Sequence, residues 1–367
     1  MAILIDMTSN YAMYLNKREQ QHHFSMKWFR CFLKRWPELR LNKPRSLAIC
    51  RGKASSEEVI SDYFSRLNDI LLEYNLKDKP QCIYNVDEKG IQTEHTPPYV
   101  VTAEKSTPAV TSSRGAITTI LGCGNALGTM IHPYYIFKGK RVKVALLKGS
   151  TAGSSGTVSD SGWSNSNIFL EYLKNHFLKF AQRESSDQLV LLLYDGHKSH
   201  INIPVINWAN ANNIILFVLP AHTSHILQPL DVGCFGPLQR IFNSECHKFI
   251  RDNPSSQITR HNVASLSSKA YENALSPANL KASFRRTGIY PFDPSVIKSS
   301  ELAPSLAFIP PTNPNELNDK TNNPAEEDAE PLSDSNKSCH GAGNENSAVD
   351  FFKSPCTMRY QKARVGN

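Results

Sequence analysis

The sequence predicts a mixed α/β protein, in which a sheet is flanked by helices. Residues 188–194 are almost continuously apolar and end at Asp195, a pattern typical of a strand buried on both faces. Residues 214–220 form a second apolar run, which predicts a neighbouring strand. Segments with helical periodicity alternate with these runs, and this alternation argues against a barrel or an all-helical bundle.

The N-terminal part of the chain is predicted to be helical. Residues 25–36 form an amphipathic segment behind Ser25, which is a suitable N-cap. A basic linker over residues 40–53 follows. A longer helix then begins, and Ser55 or Ser56 is its predicted N-cap.

Further strands are predicted before Asp195. Residues 81–86 predict a strand that ends in acid at Asp87, and residues 116–122 and 129–137 predict a hairpin. Residues 148–164 are rich in Gly, Ser and Thr, which favours a flexible loop. Helices are predicted from their apolar periodicity in three segments: from Ser164 or Ser166 to residue 180, from Asp231 to about residue 249, and over residues 262–286.

Charge is distributed unevenly along the 367 residues, whose net charge is +8. Residues 17–53 hold eleven Lys or Arg against two acids, whereas residues 301–350 hold ten acids against two Lys. A basic front end suggests a polyanionic partner. From residue 299 onward aliphatic side chains are sparse, so the acidic tail is predicted to be disordered.

Targeting and redox signals are few. The opening residues are too short an apolar run for a signal peptide, and no run reaches the length of a membrane span. The eight cysteines are scattered without a C-x-x-C pair, which favours free thiols in a reducing compartment.

The helix over residues 25–36 carries a basic stripe. Lys27, Arg30 and Lys34 recur at helical spacing opposite an aromatic face. Such a stripe suits phosphate contacts in a DNA groove, and Arg35 and Arg40 extend it. The alternative is an ordinary amphipathic helix whose charges meet only water.

Three carboxylates are the candidate catalytic residues. Asp87 and Asp195 end predicted strands, and Asp231 stands at the start of a predicted helix. These positions can converge at one edge of a sheet. Carboxylates brought together do not all stay ionised cheaply unless a cation lies between them.

Several polar residues surround these aspartates in sequence. His197, His200 and His225 are candidates for positioning phosphate or the metal ligands, with core histidines as the alternative. Gln228 is predicted to fix the entry into the helix of Asp231. A zinc hydrolase is conceivable from His and Asp together, but no H-E-x-x-H spacing supports it.

Three motifs carry a resemblance to a known family. The segments 85–88 (NVDE), 192–200 (LLYDGHKSH) and 219–233 (LPAHTSHILQPLDVG) resemble the pogo/Tigger/jerky branch of mariner-like DDE transposases. The resemblance covers roughly residues 80–295, with its motifs in the expected order. Residues 24–40 also resemble the last part of a CENP-B-type helix-turn-helix, so the chain is expected to start inside the second such unit.

The resemblance implies an RNase H-like catalytic domain and a site for two Mg²⁺ or Mn²⁺ ions. Asp87, Asp195 and Asp231 then occupy the positions of its metal-binding triad. The implied activity is DNA strand cleavage and strand transfer, with two ions about 3.5–4 Å apart. DNA is the implied partner, a homodimer is an open alternative, and no membrane or small-molecule cofactor is expected. The implied location is the nucleus.

The implied organisation has four parts: a partial helix-turn-helix with its basic linker (1–54), a connecting helix (55–80), the DDE domain (81–298) and the acidic tail (299–367). Two other functions stay open. One is a DNA-binding or chromatin-associated protein that keeps the fold without catalysis. The other is an interaction scaffold that works through its tail. Fold alone does not decide between them.

Overall fold

The computed structural model describes residues 2–17, 24–39, 47–94, 103, 115, 117–196, 202–254, 256–306 and 308. Six strands form one sheet: β1 (Ile83–Ile91), β2 (Thr118–Asn125), β3 (Met130–Lys138), β4 (Ser155–Ser159), β5 (Val190–Tyr194) and β6 (Ile214–Val218). Their spatial order is β4-β3-β2-β1-β5-β6.

Helices precede the sheet, cover it and follow it. Those before β1 are α1 (Ala2–Tyr14), α2 (Met26–Arg35), α3 (Ile49–Ala54) and α4 (Glu57–Glu73). Those between strands are α5 (Ser166–Tyr172), which continues through a π-helix (Leu173–Phe177) into α6 (Leu178–Phe180), and α7 (Ile203–Ala211). Those after β6 are α8 (Ser224–Leu227), a second π-helix (Leu230–Cys234), α9 (Phe235–Asp252), α10 (Arg260–Ala274), α11 (Pro277–Arg286) and α12 (Ser299–Leu306).

The strand pairing combines an antiparallel meander with parallel strands. β1, β2 and β3 pair antiparallel in sequence order, whereas β5 pairs parallel with β1 and β6 pairs parallel with β5. Parallel neighbours need crossover connections, and α7 lies in the one between β5 and β6. This is the RNase H-like arrangement, so the predicted mixed sheet flanked by helices is confirmed.

Apolar layers cover both faces of the sheet. All five residues of β5 are buried, as the continuous apolar run predicts. Leu191 and Leu193 pack with residues of α4 and α8, whereas Leu192 and Tyr194 pack on the other face with α5 and the first π-helix. Because side chains alternate along a strand, this division identifies the face toward which each later residue points.

Several predicted elements are confirmed. The Ser25 side chain accepts a hydrogen bond from the Trp28 N–H at 3.2 Å, so it caps α2. The cap of α4 is Ser56, whose side chain accepts from the Val59 N–H. The hairpin forms as β2 and β3. Asn165, rather than a serine, caps α5.

Other expectations are wrong in part. β1 does not end before Asp87 but continues to Ile91, because its polar residues still pair with β2. The segment 148–164 contains β4, whose small polar residues join β3 through backbone pairing that apolar periodicity does not reveal. The helical segment 262–286 divides at Ser276, which caps α11, and Pro277 occupies its first turn.

The boundaries of the linker and the tail also differ from the prediction. Residues 49–54 of the predicted basic linker form α3, and residues 299–306 of the predicted disordered tail form α12. The two short helices pack against each other. Gly52 allows this approach, since a Cβ there would lie 3.1 Å from the ring of Phe308. Within the part of the chain that the structure describes, every helix is too short or too polar to cross a membrane.

Candidate metal centre

Asp87 lies in β1, and Asp195 immediately follows β5, the parallel neighbour of β1. The register of β1 and β5 pairs Asn85 with Leu193. Each aspartate is two residues beyond this pair, and the Asp195 charge raises the pKa of Asp87. By the same alternation both point toward the face of Leu193, which α4 and α8 cover.

Asp231 reaches this edge from the second π-helix. Single π-helical turns occur frequently at functional sites. The Leu230 N–H donates to Asn85 Oδ1 at 3.1 Å, and Gln228 Nε2 donates to the Val86 carbonyl at 3.3 Å. Both bonds hold the start of the π-helix against β1. On its far side Gly233 faces Ser283 of α11, where a Cβ would collide with the serine hydroxyl.

The environment of Asp87 disfavours its charged form. Burial raises the pKa of Asp87 well above its usual range, and the charges of Asp231 and Asp195 raise it further. The Glu88 N–H, which donates to Asp87 Oδ1 at 2.8 Å, and the Gln228 side chain act in the opposite direction. Among the described residues Asp87 Oδ2 is buried without a hydrogen-bond partner, as is Gln228 Oε1.

Asp231 is the most exposed of the three residues. Partial desolvation of its carboxyl group raises the pKa of Asp231, the cations of Lys89 and Arg51 lower it, and Asp195 raises it. Each aspartate therefore interacts electrostatically with the others. The structure brings the three predicted carboxylates together at one edge of the sheet.

The residues present fit a hard divalent cation in their chemistry. In the described part of the chain no group of three His, Cys, Asp or Glu side chains is close enough to hold a metal ion as it stands. The donors are nevertheless all oxygen, which Mg²⁺ and Mn²⁺ prefer. A buried carboxylate oxygen without a partner, beside two like charges, is what a cation would satisfy.

The predicted histidines differ in what the structure shows of them. His197 and His200 lie outside the described residues. His225 lies in α8, where its Nε2 is 3.4 Å from Ser55 Oγ. Burial lowers the pKa of His225, and Arg51 lowers it further. His225 thus contacts the segment between α3 and α4, and its role at the site stays a prediction.

Three residues near the carboxylates were missed by the sequence reasoning. Asn85 and Lys89 lie two residues before and after Asp87, so period-2 alternation along β1 was the signal that could have found them. Arg51 had no such signal, because its segment was interpreted as a linker. It lies on α3, and its carbonyl accepts a hydrogen bond from the Ser55 hydroxyl at 2.7 Å.

The predicted DNA contacts of α2 are at the surface. Lys27, Arg30, Lys34 and Arg35 are all exposed, and Phe29 is buried on the opposite side of the helix. The ring of Trp28 stacks between Phe24 and Phe32, with centroid distances of 4.0 and 5.4 Å. Arg40 lies outside the described residues. The helix thus presents a basic face, and its membership of a helix-turn-helix stays a prediction.

Residues 114–284 match the family model described as DDE superfamily endonuclease. This segment contains Asp195, Asp231 and strands β2 to β6, whereas β1 and Asp87 precede it. This segment is therefore similar to a DDE superfamily endonuclease domain, in agreement with the resemblance seen in its motifs.

The similar proteins are distant or much longer. A protein of Cochliobolus lunatus named MFS-type transporter clz9 is 32% identical over 203 residues, which are 55% of this chain and 22% of that protein. The chain thus spans about a fifth of the length of this curated relative. The name transporter describes that relative as a whole.

Solved structures with some likeness belong to the Mos1 transposase. The Mos1 strand transfer complex is 16% identical, with a TM-score of 0.43 over 76% of this chain and 69% of that chain. The Mos1 mariner paired end complex with Mn is 15% identical, with a TM-score of 0.41 over 78% of each chain.

Proposed function

We propose that the protein is a transposase-derived DNA endonuclease, of the pogo/Tigger/jerky type, that cleaves and joins strands with divalent metal ions. The observation that carries the proposal is the convergence of Asp87, Asp195 and Asp231 from three separate elements. Convergence of like charges destabilises a fold unless a ligand compensates it. The unpartnered Asp87 Oδ2 supports the same conclusion.

The three carboxylates would hold the cations through oxygen alone. When bound, two Mg²⁺ or Mn²⁺ ions would activate the attacking water or 3′-hydroxyl and stabilise the leaving oxygen. Asp87 must be ionised to bind, so its raised pKa makes cation affinity fall as the pH is lowered. Strand cleavage and strand transfer both attack a phosphodiester, so one arrangement of carboxylates serves both.

Lys89 and Arg51 would contact the phosphates of the DNA strand. Lys89 lies on the same face of β1 as Asp87, two residues further along. Arg51 is exposed on α3, and its positive charge lowers the pKa of Asp231. Cations at these places attract a phosphate backbone without reading its sequence.

The exposed basic face of α2 would supply additional, sequence-independent affinity through Lys27, Arg30 and Lys34. Activity on DNA implies a location in the nucleus, and a homodimer would allow two DNA ends to be held together. Both are parts of the proposal.

The proposal is tested by nicking of supercoiled plasmid with the full chain and Mn²⁺. Wild type is expected to nick, and Asp195→Ala to lose at least about 100-fold, because removal of a metal ligand removes the site. Asp187→Ala is the matched control, since Asp187 is an exposed carboxylate before the start of β5. Equal, negligible nicking by wild type and Asp195→Ala, with no Mn²⁺ binding by calorimetry, would favour the non-catalytic DNA-binding alternative.

A further inference from the structure

Asn85 is a fully buried polar residue two residues before Asp87. It is 0% exposed and lies in β1. Its Nδ2 donates to the Leu193 carbonyl of β5 at 3.0 Å, and its Oδ1 accepts from the Leu230 N–H of the π-helix at 3.1 Å. One side chain therefore joins the three elements that carry the aspartates.

The sequence positions of these partners are close to the aspartates themselves. Leu193 is two residues before Asp195, and Leu230 immediately precedes Asp231. Asn85 is two residues before Asp87. Each hydrogen bond therefore acts within two residues of a carboxylate.

Only an amide of this length satisfies both partners. The Leu193 carbonyl needs a donor and the Leu230 N–H needs an acceptor, and an asparagine offers both groups. The Leu230 N–H belongs to the first turn of a helix, where backbone donors have no intrahelical partner. An aliphatic side chain at position 85 would remove both hydrogen bonds.

We propose that Asn85 is a positioning residue that sets the separation of the three carboxylates and thereby their affinity for a divalent cation. The inference rests on the proposed function. Both polar groups of the Asn85 amide bond to backbone, so its part is to position the carboxylates. Without it, the start of the π-helix would be held to β1 by the Gln228 hydrogen bond to Val86 and by packing, so Asp231 would lose its fixed place relative to Asp87.

The sheet supplies a matched control in Asn125. This residue is also 0% exposed, lies on the neighbouring strand β2 and is paired with Tyr84 in the register. Its amide binds the Gln81 carbonyl and the Tyr84 hydroxyl, both at 3.3 Å, and the Thr129 N–H donates to its Oδ1 at 2.7 Å. It is as embedded as Asn85, but its one bond to β1 is to the Tyr84 side chain, and none of these bonds reaches β5 or the π-helix of Asp231.

The experiment is Mn²⁺ titration calorimetry of the full chain, with thermal denaturation beside it. We expect Asn85→Ala to weaken Mn²⁺ binding about 10–100-fold, the usual effect of losing a residue that orients metal ligands. Asn85→Ser, whose hydroxyl reaches one partner only, is expected to weaken it less. Asn125→Ala should bind Mn²⁺ as wild type does, even where its Tm falls as far.

Three results would overturn the inference. Wild-type Mn²⁺ affinity in folded Asn85→Ala and Asn85→Ser would show that the amide does not set the site, while leaving the proposed function intact. Loss of folding in both Asn85 variants but not in Asn125→Ala would make Asn85 a structural residue only. Absence of Mn²⁺ binding by wild type would contradict the proposed function, and the inference with it.

Discussion

The start and the middle of β1 lie beside buried polar groups of opposite kinds. At the start of the strand, Asn125 and Tyr84 satisfy each other and their neighbours by hydrogen bonds within the protein. Near Asp87, buried oxygens of Asp87 and Gln228 have no partner among the described residues. Protein groups satisfy the polar atoms at the start of the strand, whereas a bound cation would satisfy the oxygens near Asp87.

This difference separates stability from function along one strand. Buried polar groups normally have a hydrogen-bond partner. Two buried acceptors without one, Asp87 Oδ2 and Gln228 Oε1, are therefore an exception that needs an explanation. At the start of β1 a polar substitution should cost stability and leave cation binding unchanged. Substitution of Asp87 should instead weaken cation binding and raise the stability of the metal-free protein.

The largest effect on stability is expected at the satisfied end. Asn125→Ala leaves several buried partners without a hydrogen bond, so we expect a loss of roughly 2–3 kcal/mol and a fall in Tm of about 4–12 °C. Thermal denaturation measures it, and Mn²⁺ affinity should stay unchanged. If the Mn²⁺ affinity fell together with the Tm, the start of β1 and the surroundings of Asp87 would not have separate roles.

At Asp87 we expect the opposite change, a gain in stability on substitution. The pKa of Asp87 is raised in the folded protein, so the fold binds a proton more tightly than the unfolded chain does. Stability is then lost as the pH rises from about 4, the usual value for aspartate, through the raised pKa. Asp87→Asn removes this loss.

We therefore expect metal-free Asp87→Asn to be more stable than wild type at pH 7, by on the order of 1 kcal/mol, and the gain to disappear toward pH 4. Urea denaturation at several pH values with a chelator present measures it. Asp187→Asn, an exposed carboxylate before the other end of β5, is the control and should change little. A pH-independent gain, or a loss, would contradict a raised pKa of Asp87 in the folded protein.

The smallest effect is expected from Arg51. Arg51→Gln should weaken DNA binding a few-fold and reduce the slope of log K against log salt by about 1, as expected for one lost phosphate contact. Its stability should be unchanged because the side chain is exposed. Lys79→Gln, just before the start of β1, is the control; an equal effect of both variants would place the DNA elsewhere.

Local sequence was enough for some elements and not for others. The apolar run of β5 and its ending at Asp195 were readable, because burial on both faces removes polar residues. The π-helix of Asp231 was not, since no local pattern specifies its wider turn. β4 was missed because its backbone pairs with β3 although its side chains are small and polar.

The three aspartates and their convergence were predictable from the sequence, but the hydrogen bonds that hold their elements together were not. Strand ends, a helix start and the motif resemblance indicated Asp87, Asp195 and Asp231. The bonds of Asn85 span 108 and 145 residues, and such contacts depend on sheet register, which one sequence does not display. Arg51 was hidden for the same reason, because a short helix that docks through tertiary contacts resembles a basic linker.

The central claim is that the three aspartates form a cation site, and anomalous diffraction from crystals soaked with Mn²⁺ tests it most directly. Anomalous density is predicted among the carboxylates of Asp87, Asp195 and Asp231, and it should be lost in Asp87→Asn crystals treated identically. Density only at other places, or none at a Mn²⁺ concentration that supports nicking, would contradict the claim.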